Sequence, residues 1–387
     1  AHTGKRHVCF VITARPSYSR VRSALQAAND HPDLRVSIIG AASFLANRYG
    51  SAVQVLEEDG LSLSWRIDSL MNEDSLSTAA KTTAVQITEL ATAFVNLKPD
   101  LVVTIADRYE TMATAVAASY MNIPLVHLQG GEVTGNIDEK VRHSVTKLAD
   151  LHLVSNEDAK RRVIRLGEDP KRVIVTGCPS IDIAAKVKPR PTPIEDAFMN
   201  FSGVGEPIDV SQPFLVVLQH PVTTRHEAAR NDISETLAAI SNLDIPVAWF
   251  WPNPDLGTSG TAEAIRAFRE QTSKKNIAFL KNMKPENFLS LLLSCSCLVG
   301  NSSVGLRECA YLGVPVVNIG DRQQKRLRAE NVIDATENRQ SIENAICSQL
   351  KRGAYETSLI YGKGDAGKRV ADNLAVAPLV FEKRITY

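Results

Sequence analysis

Residues 99–150 read PDLVVTIADRYETMATAVAASYMNIPLVHLQGGEVTGNIDEKVRHSVTKLAD, and this stretch decides the fold. Leu101 to Ile105 is a short apolar run rich in β-branched residues. It stops at Ala-Asp-Arg, as a buried parallel strand does where it delivers side chains to a crevice. Asp107 and Arg108 therefore stand at a strand's carboxyl end. The helical spacing of Met112, Ala115, Val116 and Tyr120 follows, then a second apolar strand from Ile123 to Leu128 that runs into Gln129-Gly130-Gly131-Glu132. This is a strand–helix–strand unit with polar residues at both strand tips. The two glycines are expected to let the backbone approach a ligand closely. Asp138 opens the next helical pattern, where it either caps the amino end or faces a substrate. Taken alone, Asp107 and Arg108 also read as a local ion pair.

Size and charge bound the rest. A chain of 387 residues with 44% apolar content can bury two ordinary cores, so two domains are expected. Lys and Arg total 44 against 43 Asp and Glu, so no basic field points to nucleic acid or an anionic membrane as a partner. The opening AHTGKRHVCFVITA lacks the long apolar core and cleavage site of a signal peptide, and no run approaches bilayer-spanning length; a soluble, cytoplasmic protein is expected. The six cysteines lie mostly in apolar patterns, as reduced core thiols do. Cys295 and Cys297 are too close together for a zinc knuckle, so no structural metal is expected.

Working outward, Val8 to Thr13 is another strand. It runs into Arg15-Pro16-Ser17-Tyr18-Ser19 before a helix predicted to begin near Arg20, and the arginine and hydroxyls there can hold an anion. Strands at Arg35 to Gly40, Leu151 to Val154 and Arg172 to Val175, with a helix at Thr78 to Leu97, complete a parallel, doubly wound sheet. The proline-rich KVKPRPTP at 186–193 marks the edge of this first domain, residues 1–187. Alternation then resumes from Phe214 to Ile319 and builds a second such domain, residues 188–363, while a last helix within 364–387 is expected to pack back on the first. The fold class is thus α/β, with two doubly wound domains facing across a cleft.

The second half has its own polar tips. They are Gln219-His220-Pro221-Val222-Thr223-Thr224, Pro252-Asn253-Pro254-Asp255, and Gly300-Asn301-Ser302-Ser303 leading to Arg307-Glu308. A strand ending in Gly-Asn-Ser-Ser with a helix starting at once gathers hydroxyls and free N–H groups where a diphosphate is bound without metal. Glu308, one turn into that helix, is placed to accept from a ribose diol, and Arg322 adds a cation at the same crevice. Simple helix capping by Ser302 and Ser303 is the competing reading. The glycines of Tyr361-Gly362-Lys363-Gly364 read as a turn before the last helix rather than a phosphate cradle.

Assembled, these motifs resemble the hydrolysing UDP-N-acetylglucosamine 2-epimerases of sialic acid pathways. The resemblance runs from Val8 to about Arg369 and rests on Asp107-Arg108, His127-x-x-Gly130-Gly131-Glu132, Ile137-Asp138-x-x-x-Arg142-His143, Gly177-Cys178-Pro179-Ser180, Gln219-His220-Pro221, Gly300-Asn301-Ser302-Ser303 and Tyr361-Gly362-x-Gly364. It implies the GT-B arrangement of two Rossmann-like domains, a UDP-sugar substrate, no cofactor, and a homodimer or homotetramer. It also implies nucleotide and diphosphate contacts from Arg15, Ser19, Arg108, Asn253, Ser302, Ser303, Glu308 and Arg322. Acid–base chemistry falls to Asp107 and Asp138, with His220 as the catalytic-site histidine and Glu132 as a further carboxylate. Three motifs depart from the family pattern: Gln129 replaces a glutamate, Pro16-Ser17 replace Ala-Asp, and Phe44 replaces a histidine, all on the sugar-facing side. A neutral amide cannot exchange a proton as a carboxylate does, so Gln129 points to another sugar or an altered second half-reaction. A GT-B glycosyltransferase and a catalytically silent nucleotide-sugar sensor are the alternatives.

Overall fold

The computed structural model describes residues 4–45, 52–69, 76–106, 108–134, 137–193, 208–222, 227–251, 258–271, 276–280 and 283–386. The chain divides into two compact units, one of Ala1–Val133, Ile137–Asp182 and Tyr361–Tyr387, the other of Thr134–Asn136 and Ile183–Ile360.

In the first unit the elements alternate: β1 (Arg6–Ile12), α1 (Arg15–Asp30), β2 (Leu34–Ala41), α2 (Ala52–Glu58), β3 (Trp65–Ile67), α3 (Leu76–Leu97), β4 (Leu101–Ile105), α4 (Thr111–Tyr120), β5 (Leu125–Leu128), α5 (Ile137–Leu148), β6 (Leu151–Val154), α6 (Glu157–Arg165), β7 (Val173–Val175) and α7 (Pro179–Val187). The strands pair in parallel in the order β3-β2-β1-β4-β5-β6-β7. Period-two alternation sends Val8, Phe10, Leu101 and Val103 to one face, against α1, and Cys9, Val11 and Val102 to the other, against α3 and α4. Burial drives the Cys9 thiol up to about 12, which suits an inert core residue.

The second unit repeats the scheme with β8 (Leu215–Leu218), α8 (Ala229–Ser241), β9 (Val247–Phe250), α9 (Thr258–Gln271), β10 (Ile277–Leu280), α10 (Pro285–Ser294), β11 (Cys297–Gly300), α11 (Glu308–Leu312), β12 (Val316–Ile319), β13 (Val332–Ala335) and α12 (Arg339–Arg352). Its parallel order is β10-β9-β8-β11-β12-β13. In both sheets the winding reverses direction at one place, between β1 and β4 and between β8 and β11. The carboxyl ends of the strands there are where open α/β sheets bind ligands.

The last helix, α13 (Ala366–Val376), belongs to the first unit and is tied at both ends. The Asp182 carboxylate accepts from the Ala366 and Gly367 N–H groups, at 3.0 and 2.6 Å, and from Ser23 Oγ at 2.8 Å. Arg6 Nη1 donates to the Leu374 and Ala377 carbonyls. Gly367 is needed because a Cβ there would lie 2.6 Å from the Ser23 carbonyl oxygen on α1. The Tyr361–Gly364 motif is the turn that brings the chain home: the Cys178 N–H donates to the Tyr361 carbonyl at 2.8 Å, and a Gly362 Cβ would lie 3.3 Å from Gly177 Cα.

Several boundaries depart from the sequence reading. Helix α1 starts at Arg15, not near Arg20, because Pro16 is tolerated in a first turn, where its missing N–H has no partner to lose. Strands β3 and β13 and helices α2 and α12 escape the pattern reading. The six cysteines are free, five of them buried and Cys347 exposed. Among the described residues no helix is long and apolar enough to cross a membrane, and no cluster of His, Cys, Asp and Glu could hold a metal.

A buried ionic knot closes the far side of the first unit. Glu168 receives His152 Nε2 at 2.9 Å and the ammonium groups of Lys147 and Lys383 at 2.6 Å each. Burial alone would raise this carboxyl, but the three donors outweigh it and hold it at about 2. Burial holds the His152 imidazole and the Lys383 ammonium below their usual ranges, the second against the pull of Glu168. The carboxylate is where the donors converge, so its direction carries the energetics. A depressed carboxyl stabilises the fold above the ordinary glutamate range, and that contribution is lost as pH falls through about 2. Glu168→Gln is therefore expected to cost about 2–3 kcal/mol at pH 7. Urea unfolding should show the gap to wild type narrowing below the ordinary glutamate pKa of 4.5; a gap constant with pH would contradict this.

Candidate active site

The first unit's polar residues gather at the tips of β1, β4 and β5. Arg15 opens α1 directly after β1, behind an Ala14 that makes no side-chain cap, and Ser19 is half-buried in the next turn. Asp107 lies outside the described residues, but its neighbours do not. Ala106 has φ 55° and donates its N–H to the Leu128 carbonyl at 2.9 Å, which sets the β4 tip beside the β5 tip. The Arg108 guanidinium pairs with Glu110, Nε to Oε2 at 3.2 Å, and lies 5.8 Å from the Tyr109 ring centroid. The Glu110 side chain is fully buried, so the arginine is held by a carboxylate that the sequence reading passed over.

At the β5 tip Gln129 takes φ 62° and is 2% exposed, with Nε2 3.3 Å from Cys178 Sγ, itself 3.1 Å from Ser180 Oγ. The Gln129 Oε1 atom is buried with no hydrogen-bond partner among the described residues. Glu132 is also buried: its Oε1 accepts from Ser155 Oγ at 3.0 Å, and its carbonyl accepts from Arg142 Nη1 at 2.8 Å. Asp138 stands second in α5, inside the first turn rather than at the cap, where its charge complements the helix dipole.

Two expectations fail in this unit. Gly130 and Gly131 do not open the backbone toward a ligand; they face protein. A Cβ on Gly130 would lie 2.9 Å from both His127 Nδ1 and Thr146 Oγ1, and one on Gly131 would lie 2.3 Å from the Ala159 carbonyl oxygen. Phe44 is 1% exposed and packs on Tyr18 with ring centroids 5.9 Å apart, so position 44 serves the core and not a sugar-facing wall.

In the second unit the tips of β8, β11 and β12 converge. Asn301, absent from the candidate residues read from sequence, is the centre. Its side chain accepts from the His220 N–H at 2.7 Å and donates to the His220 carbonyl at 2.8 Å. Its own carbonyl accepts from Arg322 Nη1 and Gln323 Nε2, each at 3.1 Å. Gly300 allows this approach, since a Cβ there would lie 2.0 Å from the Leu218 carbonyl oxygen. His220 is 5% exposed and, with Gln219, Val222, Asp232, Asn301 and Glu337, lines a small recess.

Ser302 caps, its Oγ accepting from the Val304 N–H at 3.4 Å, but the element it caps is a single 3-10 turn, Ser303–Gly305. Helix α11 begins only at Glu308, which is its first residue rather than one turn in. Ser302, Ser303, Glu308 and Arg322 are all partly exposed. Thr223, Thr224 and Asn253 lie outside the described residues.

Two parallel, doubly wound sheets with polar tips at their reversal points define a protein of two Rossmann-like domains. The sequence model of the family described as UDP-N-acetylglucosamine 2-epimerase matches residues 26–375, and the chain belongs to that family. It is 29% identical over 374 residues to a UDP-N,N'-diacetylbacillosamine 2-epimerase (hydrolyzing) of Legionella pneumophila, covering 97% of both chains. It is 30% identical over 335 residues to a GDP/UDP-N,N'-diacetylbacillosamine 2-epimerase (hydrolyzing) of Campylobacter jejuni, covering 86% of this chain and 84% of that one. The fold is that of the UDP-GlcNAc 2-epimerase from Neisseria meningitidis, solved bound to UDP-GlcNAc, with a TM-score of 0.78 at 19% identity over 95% of this chain and 99% of that one.

The glycine roles can be separated by unfolding experiments. Gly60 has φ 76° with nothing within 4 Å of a new Cβ, whereas Gly131 has φ 76° and a backbone oxygen in the way. Gly60→Ala is expected to cost about 1–2 kcal/mol and Gly131→Ala about 3 kcal/mol or more, read as midpoints of urea unfolding. Equal costs would remove the packing role from Gly131.

Proposed function

We propose that the protein is a hydrolysing 2-epimerase of a UDP-N-acetylhexosamine, converting UDP-N-acetylglucosamine to N-acetylmannosamine and UDP. The observation that carries this reading is the match, along nearly the whole chain, to a relative named as a hydrolysing 2-epimerase. That match takes in the polar strand tips of both units. A carboxylate removes the sugar C2 proton as UDP departs, leaving a glycal, and water then adds to the double bond to give the 2-epimeric free sugar. Asp107 and Asp138 are the acid–base pair, Glu132 is a further carboxylate, and His220 stands by the leaving diphosphate. Ser302, Ser303 and Arg322 hold the diphosphate; Glu308 takes the ribose diol; Arg15, Ser19, Arg108 and Asn253 complete the nucleotide contacts. Clamping of the His220 backbone by Asn301 supports a fixed position for the histidine.

Gln129 is assigned no proton transfer, because a side-chain amide acts as neither an acid nor a base near neutral pH. A second reading has its own support: the Legionella and Campylobacter relatives are named for N,N'-diacetylbacillosamine nucleotides, so a 2,4-diacetamido sugar stands beside N-acetylglucosamine as substrate.

Incubation with UDP-N-acetylglucosamine and UDP-N,N'-diacetylbacillosamine in deuterated water is expected to release UDP and a 2-epimeric sugar carrying deuterium at C2, read by NMR. Release of UDP with retention of the C2 proton would refute the elimination. Replacing Ser302 and Ser303 together by Ala is expected to weaken UDP binding by about 1.5–3 kcal/mol for each charged hydrogen bond lost, measured by calorimetry; unchanged affinity would move the diphosphate elsewhere.

A further inference from the structure

We infer that the carboxyl-terminal segment beyond α13 sets the backbone at the tip of β4, through Lys383, Thr146 and His127, which are positioning residues for the peptide that leads into Asp107. The reading of Asp107 as an acid–base group rests on the proposed function; the geometry of the relay does not.

The relay starts at the end of α5. Lys383 Nζ donates to the Thr146 and Ala149 carbonyls, at 3.1 and 2.5 Å, and to Glu168 Oε2 at 2.6 Å. A helix leaves its last carbonyls without partners, and a cation there satisfies them and complements the dipole. The same Thr146 turns its hydroxyl inward, 3.1 Å from His127 Nδ1. His127 Nε2 lies 2.9 Å from the Ala106 carbonyl oxygen. A carbonyl oxygen only accepts, so Nε2 carries the proton and, in the neutral ring, Nδ1 accepts from Thr146.

Thr146 and His127 are fully buried, so no water competes for these bonds. Their target is a strained residue. Ala106 sits at φ 55°, a left-handed conformation that a residue with a Cβ holds only when its surroundings over-determine it. Its N–H is fixed by Leu128 and its carbonyl by His127, so each of the two peptide planes that meet at Ala106 is held by one bond, and the His127 bond is the one on the plane that leads into Asp107. Gly130 belongs to the same device, since a Cβ there would meet His127 Nδ1 and Thr146 Oγ1, each at 2.9 Å. The outer end is held by the tail itself, whose Thr386 N–H donates to the Gly167 carbonyl at 3.0 Å.

The test uses the full chain. Lys383→Met and His127→Leu are expected to speed amide exchange at Ala106 about tenfold relative to wild type, with β2 unchanged, while Lys383→Arg and His127→Gln, which keep a donor in place, restore protection. In UDP release from the nucleotide sugar, Lys383→Met is expected to lower kcat about tenfold with KM changed less than about twofold. Exchange at Ala106 that stays at the wild-type rate in Lys383→Met, while residues 146–168 loosen, would make the tail a structural tie only and overturn the inference; so would loosening spread equally over β2. If His127→Leu does not fold, Lys383→Met decides, since its side chain is 22% exposed and removes no core volume. If wild type releases UDP from no nucleotide sugar, the proposed function fails, and the exchange measurement still decides the relay.

Discussion

A parallel sheet wound outward from its middle has one place where neighbouring loops leave in opposite directions, and the crevice there cannot be closed by the crossovers that build the sheet. This constraint acts twice in the chain, between β1 and β4 and between β8 and β11. Among the described residues the candidate site groups sit at those strand ends or beside them: Arg15, Arg108, Gln129 and Glu132 in one unit, and His220, Ser302 and Arg322 in the other. Both sheets are buried on two faces by apolar side chains, so the polar residues collect at the strand tips.

The tips are held by neighbouring side chains and backbone groups. In the first unit His127 and Leu128 fix the peptide of Ala106, Glu110 fixes Arg108, and Arg142 with Ser155 fixes Glu132. In the second, one asparagine joins three strand tips through its side chain and its carbonyl. Each bond replaces one the group would make with water, so its net worth is modest. Each also removes an alternative orientation, and at a reacting centre that is the larger effect.

Much of this was legible in the sequence. Buried central strands such as Leu101–Ile105 and Cys297–Gly300 are unbroken apolar runs ending in polar residues, and their order gave two doubly wound domains. The misses have physical causes. Strand β3 is three residues long and includes Arg66, and β13 carries Asp334, so neither edge strand has the apolar run of a central one. The helix expected to begin near Arg20 begins at Arg15, with Pro16 in its first turn. The partnerships were out of reach for a different reason. That Asn301 clamps His220, or that Gly130 makes room for His127 and Thr146, depends on which strands are neighbours and on the loop between them, and no spacing along one segment encodes it. The glycines were noticed correctly as close approaches, but the approaching partner is a helix of the same unit.

The central claim is that the hydroxyl-rich tip of β11 and the arginine after β12 receive the diphosphate of a nucleotide sugar. Its most direct test is a crystal structure of the chain with UDP. The expected result places phosphate oxygens within hydrogen-bond distance of Ser302 or Ser303 and of the Arg322 guanidinium; a nucleotide bound away from all three would contradict it.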